Sequence, residues 1–275
     1  MTPPMSTTPL IDTQALARHR ARATPHGLFV QESAADEIED RLSIVNRAFT
    51  APAVVTPFAD VWRNRIKGAQ LVADTETLAL APNSHDLVIH ATGLHWSNDP
   101  VGQLIQCRRS LKPDGLMIAA TLGGQTLAEL RSALGDAEIA VSGGLSPRIL
   151  PMGEIRDLGA LLQRAGFALP VADSLPLDVE YRSALHLMRD LRDMGETNAL
   201  TQRNRRIPPK SLFLTAAENY QHAFPGSAGR IKATFELVFL TGWAPDPSQQ
   251  QPLRPGSAKQ RLAEALSVPE TPLRD

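Results

Sequence analysis

His95, with an indole beside it at Trp96, is the most pointed chemical signal in the chain, and a second histidine, His90, precedes it. A histidine of near-neutral pKa can move a proton, and an indole can wall a pocket or stack on a cation. The competing readings are structural: His90 as a hydrogen-bonded filler and Trp96 as a cover over the core. No third ligand accompanies the two histidines, so their spacing does not point to a metal site. A second candidate is the run Gly143-Gly144-Leu145-Ser146-Pro147-Arg148. It is longer than a connection requires, and such loops often act as lids. Ser146 and Arg148 could dock a carboxylate or a protein partner there, or Arg148 could be a solvated charge. Gly123-Gly124 could offer free N–H groups to an anion, or be a plain strand-to-helix turn.

These residues need a scaffold, and the totals bound it. The 275 residues suffice for one large domain or two small ones. A net charge of −1 gives no overall electrostatic reason to bind nucleic acid or an acidic membrane surface. No apolar run approaches the roughly 20 residues that cross a bilayer. Cys107 is the single cysteine, which excludes an internal disulfide and fits a reducing compartment, so a cytoplasmic location is expected. The Arg-rich stretch Arg18 to Arg22 reads as part of a helix following Asp12 rather than as a transit peptide.

The pattern along the chain divides it. Residues 1–11, rich in Pro, Thr and Ser, are expected to be disordered. Residues 12–50 read as two helices, the second with Ala35, Ile38, Leu42, Val45 and Phe49 as one buried stripe. Residues 51–245 alternate strands and helices. Strands are expected at Ala53–Thr56, Gln70–Ala73, Asp86–Ala91, Leu116–Thr121, Leu177–Tyr181 and Ala233–Trp243. Helices are expected at Val61–Lys67, after Asp99-Pro100, after Gly123-Gly124, up to Gly166, at Leu185–Met194 and at Ser211–Phe224. Lys112-Pro113-Asp114-Gly115 reads as a turn. Residues 246–275 read as a Pro-rich tail with a short helix near Lys259–Leu266. Strands alternating with helices imply a mainly parallel α/β sheet with helices on both faces, which places ligands beyond the carboxyl ends of its strands.

Val72-Ala73-Asp74-Thr75-Glu76 and Asp86-Leu87-Val88-Ile89-His90-Ala91-Thr92-Gly93-Leu94-His95-Trp96-Ser97-Asn98-Asp99 resemble the third and fourth motifs of class I S-adenosylmethionine-dependent methyltransferases. Leu111-Lys112-Pro113-Asp114-Gly115 resembles the turn before their fifth strand. Gly123 to Arg131, Gly143 to Arg148, Met194-Gly195-Glu196-Thr197-Asn198 and Gly242-Trp243 narrow the resemblance to the subgroup of a mitochondrial complex I assembly factor described as an arginine hydroxylase. The biotin-pathway malonyl-carrier-protein methyltransferases are more distant relatives by the same motifs. The resemblance spans about residues 72–260.

It implies a Rossmann-like methyltransferase fold with an antiparallel last strand, and S-adenosylmethionine as cofactor. It also implies a protein substrate or partner in respiratory-complex assembly, or a non-catalytic assembly protein with an eroded site. By the same resemblance, Thr56, Asp74, Thr75, His90 and Ala91 would line the cofactor site, with Asp74 accepting the adenine amino group. His95 and Trp96 would stand at the chemistry.

The upstream part departs from the family. Its first strand should end in a glycine loop, but here it runs Ala53-Val54-Val55-Thr56-Pro57-Phe58, and no glycine lies between Gly27 and Gly68. The short interval to Asp74 implies that one strand–helix unit is missing. A glycine loop lets backbone N–H groups approach the ligand without a β-carbon clash. Thr56-Pro57-Phe58 removes a donor and is expected to fill the space with a ring. A lost ribose clamp forfeits about 1.5–3 kcal/mol of charge-assisted hydrogen bonding. Together these losses predict cofactor affinity lowered by roughly two orders of magnitude or more, or abolished.

Overall fold

The computed structural model describes residues 8–250 and Ser267, so the helix expected near 259–266 lies outside the described residues. The chain divides into two compact units, Met1–Pro245 and Asp246–Asp275. In the second, the Asp246 carboxylate accepts from the Ser248 N–H and hydroxyl.

The first unit runs α1 (Thr13–Arg20), α2 (Phe29–Ile44), β1 (Pro52–Val55), α3 (Ala59–Trp62), β2 (Gln70–Val72), β3 (His85–Ala91) and α4 (Pro100–Ser110). It continues through β4 (Leu111–Leu122), α5 (Ala128–Ser142), α6 (Ile155–Ala165), β5 (Ala168–Tyr181), α7 (Ala184–Asp193), α8 (Lys210–Ala223) and β6 (Ile231–Trp243). The six strands form one sheet in the order β2-β1-β3-β4-β6-β5. The first four are mutually parallel, and β6 runs antiparallel to both β4 and β5.

Every residue of β3 is buried, because helices cover both faces. Alternation then divides each strand between two cores. Leu87, Ile89 and Ala91 of β3, with Leu116, Ile118 and Ala120 of β4, pack against Ile38 of α2, Leu130 of α5 and Leu212 of α8. Val88, Met117 and Ala119 point the other way, onto Leu104 and Cys107 of α4 and Leu162 of α6. Burial pushes the Cys107 thiol up to about 12, so it stays protonated as packing.

Local signals set several boundaries. Asp99 caps α4 by accepting from the Gly102 N–H at 2.8 Å, with Pro100 at the first helical position. Gly166 ends α6 in the left-handed conformation at φ +80°. Other expectations are corrected. The helix expected through Lys67 stops at Trp62, and residues 73–84 form neither helix nor strand, so β1 and β3 are separated by one four-residue helix and the short strand β2. The Lys112–Gly115 turn is absorbed into β4 as an irregularity. Register jumps from His85 opposite Leu111 to Leu87 opposite Leu116, with Asp114 at φ 58°. β5 begins at Ala168 rather than Leu177, pairing with β6 along its length. It tolerates Pro170 and Pro176 because it is an edge strand. Because α2 ends at Ile44, the stripe it carries stops at Leu42. Val45 and Phe49 pack from the segment that follows.

Ile11, within the stretch expected to be disordered, is buried and bridges to Leu200. The N-terminal helices are seated on the segment around residues 193–200. Thr24 N–H donates to the Asp193 carbonyl at 2.7 Å, and Asp12 N–H to that of Ala199 at 2.8 Å. At Gly27 an added β-carbon would lie 2.4 Å from the Asp193 carbonyl carbon and 2.7 Å from the Met194 nitrogen, both backbone atoms. Gly27→Ala is therefore expected to cost about 1–3 kcal/mol in chemical denaturation. Gly144→Ala, where the β-carbon meets open space, serves as control. Equal stabilities for the two variants would refute the close approach.

Candidate active site

A cleft of about 710 Å³ opens at the carboxyl ends of β1, β2 and β3. Because these strands are parallel and adjacent, residues far apart in sequence arrive at one rim. Thr56 and Pro57 follow β1, Asp74 and Thr75 follow β2, and His90 and Trp96 come from β3 and the turn after it. Leu16, Ala17 and Arg20 of α1 close the opposite side. Ala91 is one residue beyond His90 and so points to the other face, where it belongs to the core; it does not line the cleft. Phe58 also turns into that core instead of filling the cleft with its ring.

The turn after β1 keeps its polar groups to itself. Thr56 N–H donates to the Val72 carbonyl at 2.9 Å, Pro57 has no N–H, and Phe58 N–H donates to Thr56 Oγ1 at 3.1 Å. Asp74 is equally engaged. Arg20 Nη1 donates to both its carboxylate oxygens, at 2.9 and 3.2 Å, and each side chain is 13% exposed. Gly93 permits this, since a β-carbon there would stand 2.5 Å from Asp74 Oδ2. Arg20 Nε and Nη2 are buried and unpartnered among the described residues.

His90 is held by α4. Gln103 Nε2 donates to the Thr75 carbonyl at 2.6 Å, which turns Gln103 Oε1 toward His90 Nε2 at 3.2 Å. His90 Nε2 is then the protonated nitrogen and donates. Complete burial pushes the His90 pKa down and keeps the ring neutral, leaving Nδ1 as a buried acceptor without a partner among the described residues. The Thr75 hydroxyl donates to the Thr77 carbonyl.

His95 and Trp96 converge on Glu196. Trp96 Nε1 donates to Glu196 Oε2, His95 Nε2 lies 3.3 Å from the same oxygen, and His95 Nδ1 is 3.5 Å from Thr121 Oγ1. The Glu196 side chain is 5% exposed. Burial works to raise its pKa, but His95, the charge of Arg20 and the Trp96 N–H outweigh burial, so the net shift is downward and the carboxylate stays ionised. The C-terminus of α7 positions it. Gly195, at φ +80°, donates to the Arg192 carbonyl, and Glu196 N–H donates to that of Leu191, which aims the next side chains inward.

On the far side of Trp96 lies a second cavity, of about 320 Å³. It is walled largely by apolar side chains of α5, α7 and α8 and includes Glu196 and Arg148. Trp96 lines both cavities. Arg148 Nη2 donates to Glu138 Oε1 at 2.6 Å, and the Ser146 N–H and hydroxyl also donate to Glu138. Arg148 thus reaches the second cavity as one half of an ion pair, and Ser146 secures the loop.

The structure therefore gathers Thr56, Asp74, Thr75, His90 and Trp96 around one cleft and places His95 behind Trp96. Arg20, Gln103 and Glu196 were missed as site residues. Glu196 lay within the Met194–Asn198 motif, and a carboxylate immediately after a helix-ending glycine was its available signal. Arg20 had none beyond its place on an amphipathic N-terminal helix. Among the described residues no cluster of three or more His, Cys, Asp or Glu could hold a metal ion, and no helix is long and apolar enough to cross a membrane.

A family profile described as a methyltransferase domain matches residues 43–119. The arginine-hydroxylase NDUFAF5, mitochondrial, of Danio rerio is 36% identical over 225 residues, covering 82% of this chain and 70% of that protein. The protein of the same name from Homo sapiens is 38% identical over 208 residues, covering 73% and 60%. A malonyl-[acyl-carrier protein] O-methyltransferase of Gallionella capsiferriformans is 31% identical over 191 residues, covering 68% and 62%. The chain thus spans 60–70% of the length of these three relatives.

Proposed function

Since the chain belongs to the NDUFAF5 arginine-hydroxylase family, within the class I S-adenosylmethionine-dependent methyltransferase superfamily, we propose that it acts on a protein substrate during respiratory-complex assembly. The observation that carries the reading is the position of Trp96, which divides a strand-rim cleft from an apolar pocket and is fixed by a buried carboxylate. That arrangement suits a cofactor-derived site on one side and an entering side chain on the other. The NDUFAF5 relatives are named mitochondrial; for this chain a cytoplasmic location is proposed, from its cysteine usage.

The residues of the cleft do not fit tight S-adenosylmethionine binding. The turn after β1 has no spare N–H, and the Asp74 carboxylate, which the resemblance assigns to the adenine amino group, is already occupied by the Arg20 guanidinium. We read the cleft as one that holds the cofactor weakly or has lost it. Isothermal titration with S-adenosylmethionine and S-adenosylhomocysteine is expected to show no saturation below millimolar concentration. A micromolar dissociation constant would overturn this part of the proposal.

The same engaged turn and ion pair favour a second reading, a non-catalytic assembly protein on the inherited fold. Complementation of a strain lacking the chain, read as respiratory-complex assembly, separates the two. Loss of assembly in His95→Ala with a folded protein supports modification of the substrate. Assembly retained in His95→Ala but lost on disrupting the 141–151 loop supports the non-catalytic role. Assembly unchanged by deletion of the whole chain would end both.

A further inference from the structure

Two stretches of the chain carry no acid at all, and the fold lays them side by side. Residues 13–31 hold Arg18, Arg20 and Arg22, and residues 197–217 hold Arg203, Arg205, Arg206 and Lys210, with no Asp or Glu in either. Thr201 N–H donates to the Leu10 carbonyl at 2.9 Å, Asp12 N–H to that of Ala199 at 2.8 Å, and His19 Nδ1 faces the Thr197 carbonyl. At this junction Arg203 and Arg205 share a single carboxylate, Asp12, at 2.9 and 3.5 Å. Burial pushes the His19 pKa down, the Thr197 carbonyl opposes it, and the charges of Arg22, Arg203 and Arg18 add to the fall. Arg18, Arg22, Arg206 and Lys210 are exposed and make no ion pair among the described residues. The result is a positive face on a chain whose net charge is −1.

Folding does not account for these charges. Lys210 opens α8, whose first turn has no acidic residue, so a cation stands where the helix dipole repels it. Arg205 and Arg206 lie just ahead of it, and the next residue, Ile207, is 96% exposed and stiffened by Pro208-Pro209. Guanidinium forks match carboxylates in two-point contact, and an apolar tip rimmed by arginines is the composition of a protein interface. A single apolar tip offers too little area for insertion into a lipid surface. We propose that this face docks a protein segment rich in Asp and Glu, with an apolar side chain of that segment seated on Ile207. The inference deepens the assembly reading by giving the chemistry of the partner, and it involves neither the cleft nor the apolar pocket.

The test is fluorescence anisotropy of the full chain with a labelled peptide repeating Glu-Asp-Leu four times, and with its Gln-Asn-Leu counterpart. The acidic peptide is expected to bind the wild type about tenfold or more tightly than the neutral one, and to weaken as salt rises. Arg206→Glu with Lys210→Glu is expected to lose about tenfold in affinity with no fall in Tm, since acids suit the start of α8. Ile207→Ser is expected to lose roughly threefold. Arg156→Glu with Arg164→Glu makes the same change of net charge on α6, across the sheet from α8, and is expected to leave binding intact. Equal binding of the two peptides, equal losses in the α6 and α8 variants, or undiminished binding in Ile207→Ser would each overturn the assignment. So would association with phosphatidylglycerol vesicles that the acidic peptide does not displace. These titrations are blind to His95, so they can fail while the assembly reading stands, and the assembly assay can fail while they hold.

Discussion

Asp74→Ala is expected to destabilise the protein by about 3 kcal/mol, more than removing Asp74 and Arg20 together. The reason is what the single substitution leaves behind. The Arg20 side chain is 13% exposed, and its Nε and Nη2 already have no partner among the described residues; without Asp74 the guanidinium would be a buried charge with no carboxylate in contact among the described residues. Arg20→Met with Asp74→Ala removes both charges and lets the site close around apolar atoms, so part of the loss should return. The consequence reaches the cleft, because Arg20 ends α1 and α1 forms one of its walls. The remaining ties of α1 include the Asp12 N–H to Ala199, the Asp12–Arg203 ion pair, His19 Nδ1 facing the Thr197 carbonyl at 3.1 Å, and the packing of Ala15 and Leu16 with Leu150 and Leu200. In Asp74→Ala, hydrogen exchange of the α1 amides is expected to quicken while that of β3 and β4 stays slow. Chemical denaturation showing the single variant as stable as the double, or more so, would mean that the pair is already solvated and contributes little.

Phe239→Ala is expected to cost about 3–5 kcal/mol, the range for emptying a buried aromatic site. Phe239 is wholly buried near the middle of β6, opposite Ala120 of β4 on one side and Asp173 of β5 on the other. The Arg41 guanidinium of α2 stands 4.1 Å above its ring and is itself anchored by Nη1 and Nη2 on the two oxygens of Asp173, at 2.7 and 2.5 Å. Removing the ring leaves a cavity and also strips the cation–π contact from an arginine that joins helix to sheet. For a unit of this size each kcal/mol corresponds to roughly 2–4 °C, so a Tm drop of about 10 °C is the expected reading. Phe239→Leu should lose less than half as much, because most of the volume is retained. A loss below about 1 kcal/mol for the alanine variant would show that the site collapses freely and that the β4–β6–β5 half of the sheet does not depend on this ring.

The sequence alone carried whatever is written locally. The continuous apolar run from Asp86 to Ala91 could only be a strand covered on both faces, and Asp99-Pro100 and Gly166 mark helix ends through their own backbone chemistry. The absence of a glycine loop after Val55 was plain, and the loss of one backbone donor follows from Pro57 itself; that Thr56 and Phe58 spend theirs on Val72 and on Thr56 Oγ1 came only from the structure. The parallel α/β order was legible as well, so the rim on which Thr56, Asp74 and His90 meet could be named before their positions were known.

Tertiary structure decided the rest, because the remaining determinants are pairings between residues whose separation no local pattern encodes. A strand buried on both sides carries no mark of which face each residue takes, so His90 in the cleft and Ala91 in the core look alike in sequence. The first half of β5, with Pro170 in it, is a strand only because β6 lies beside it. Arg20 claims Asp74 across 54 residues, and Glu196 meets His95 across 101. A carboxylate in a chain can be seen at once; whether it is free to receive a ligand depends on which cation the fold brings to it, and that is fixed only when the sheet has formed and the helices have closed over its rim.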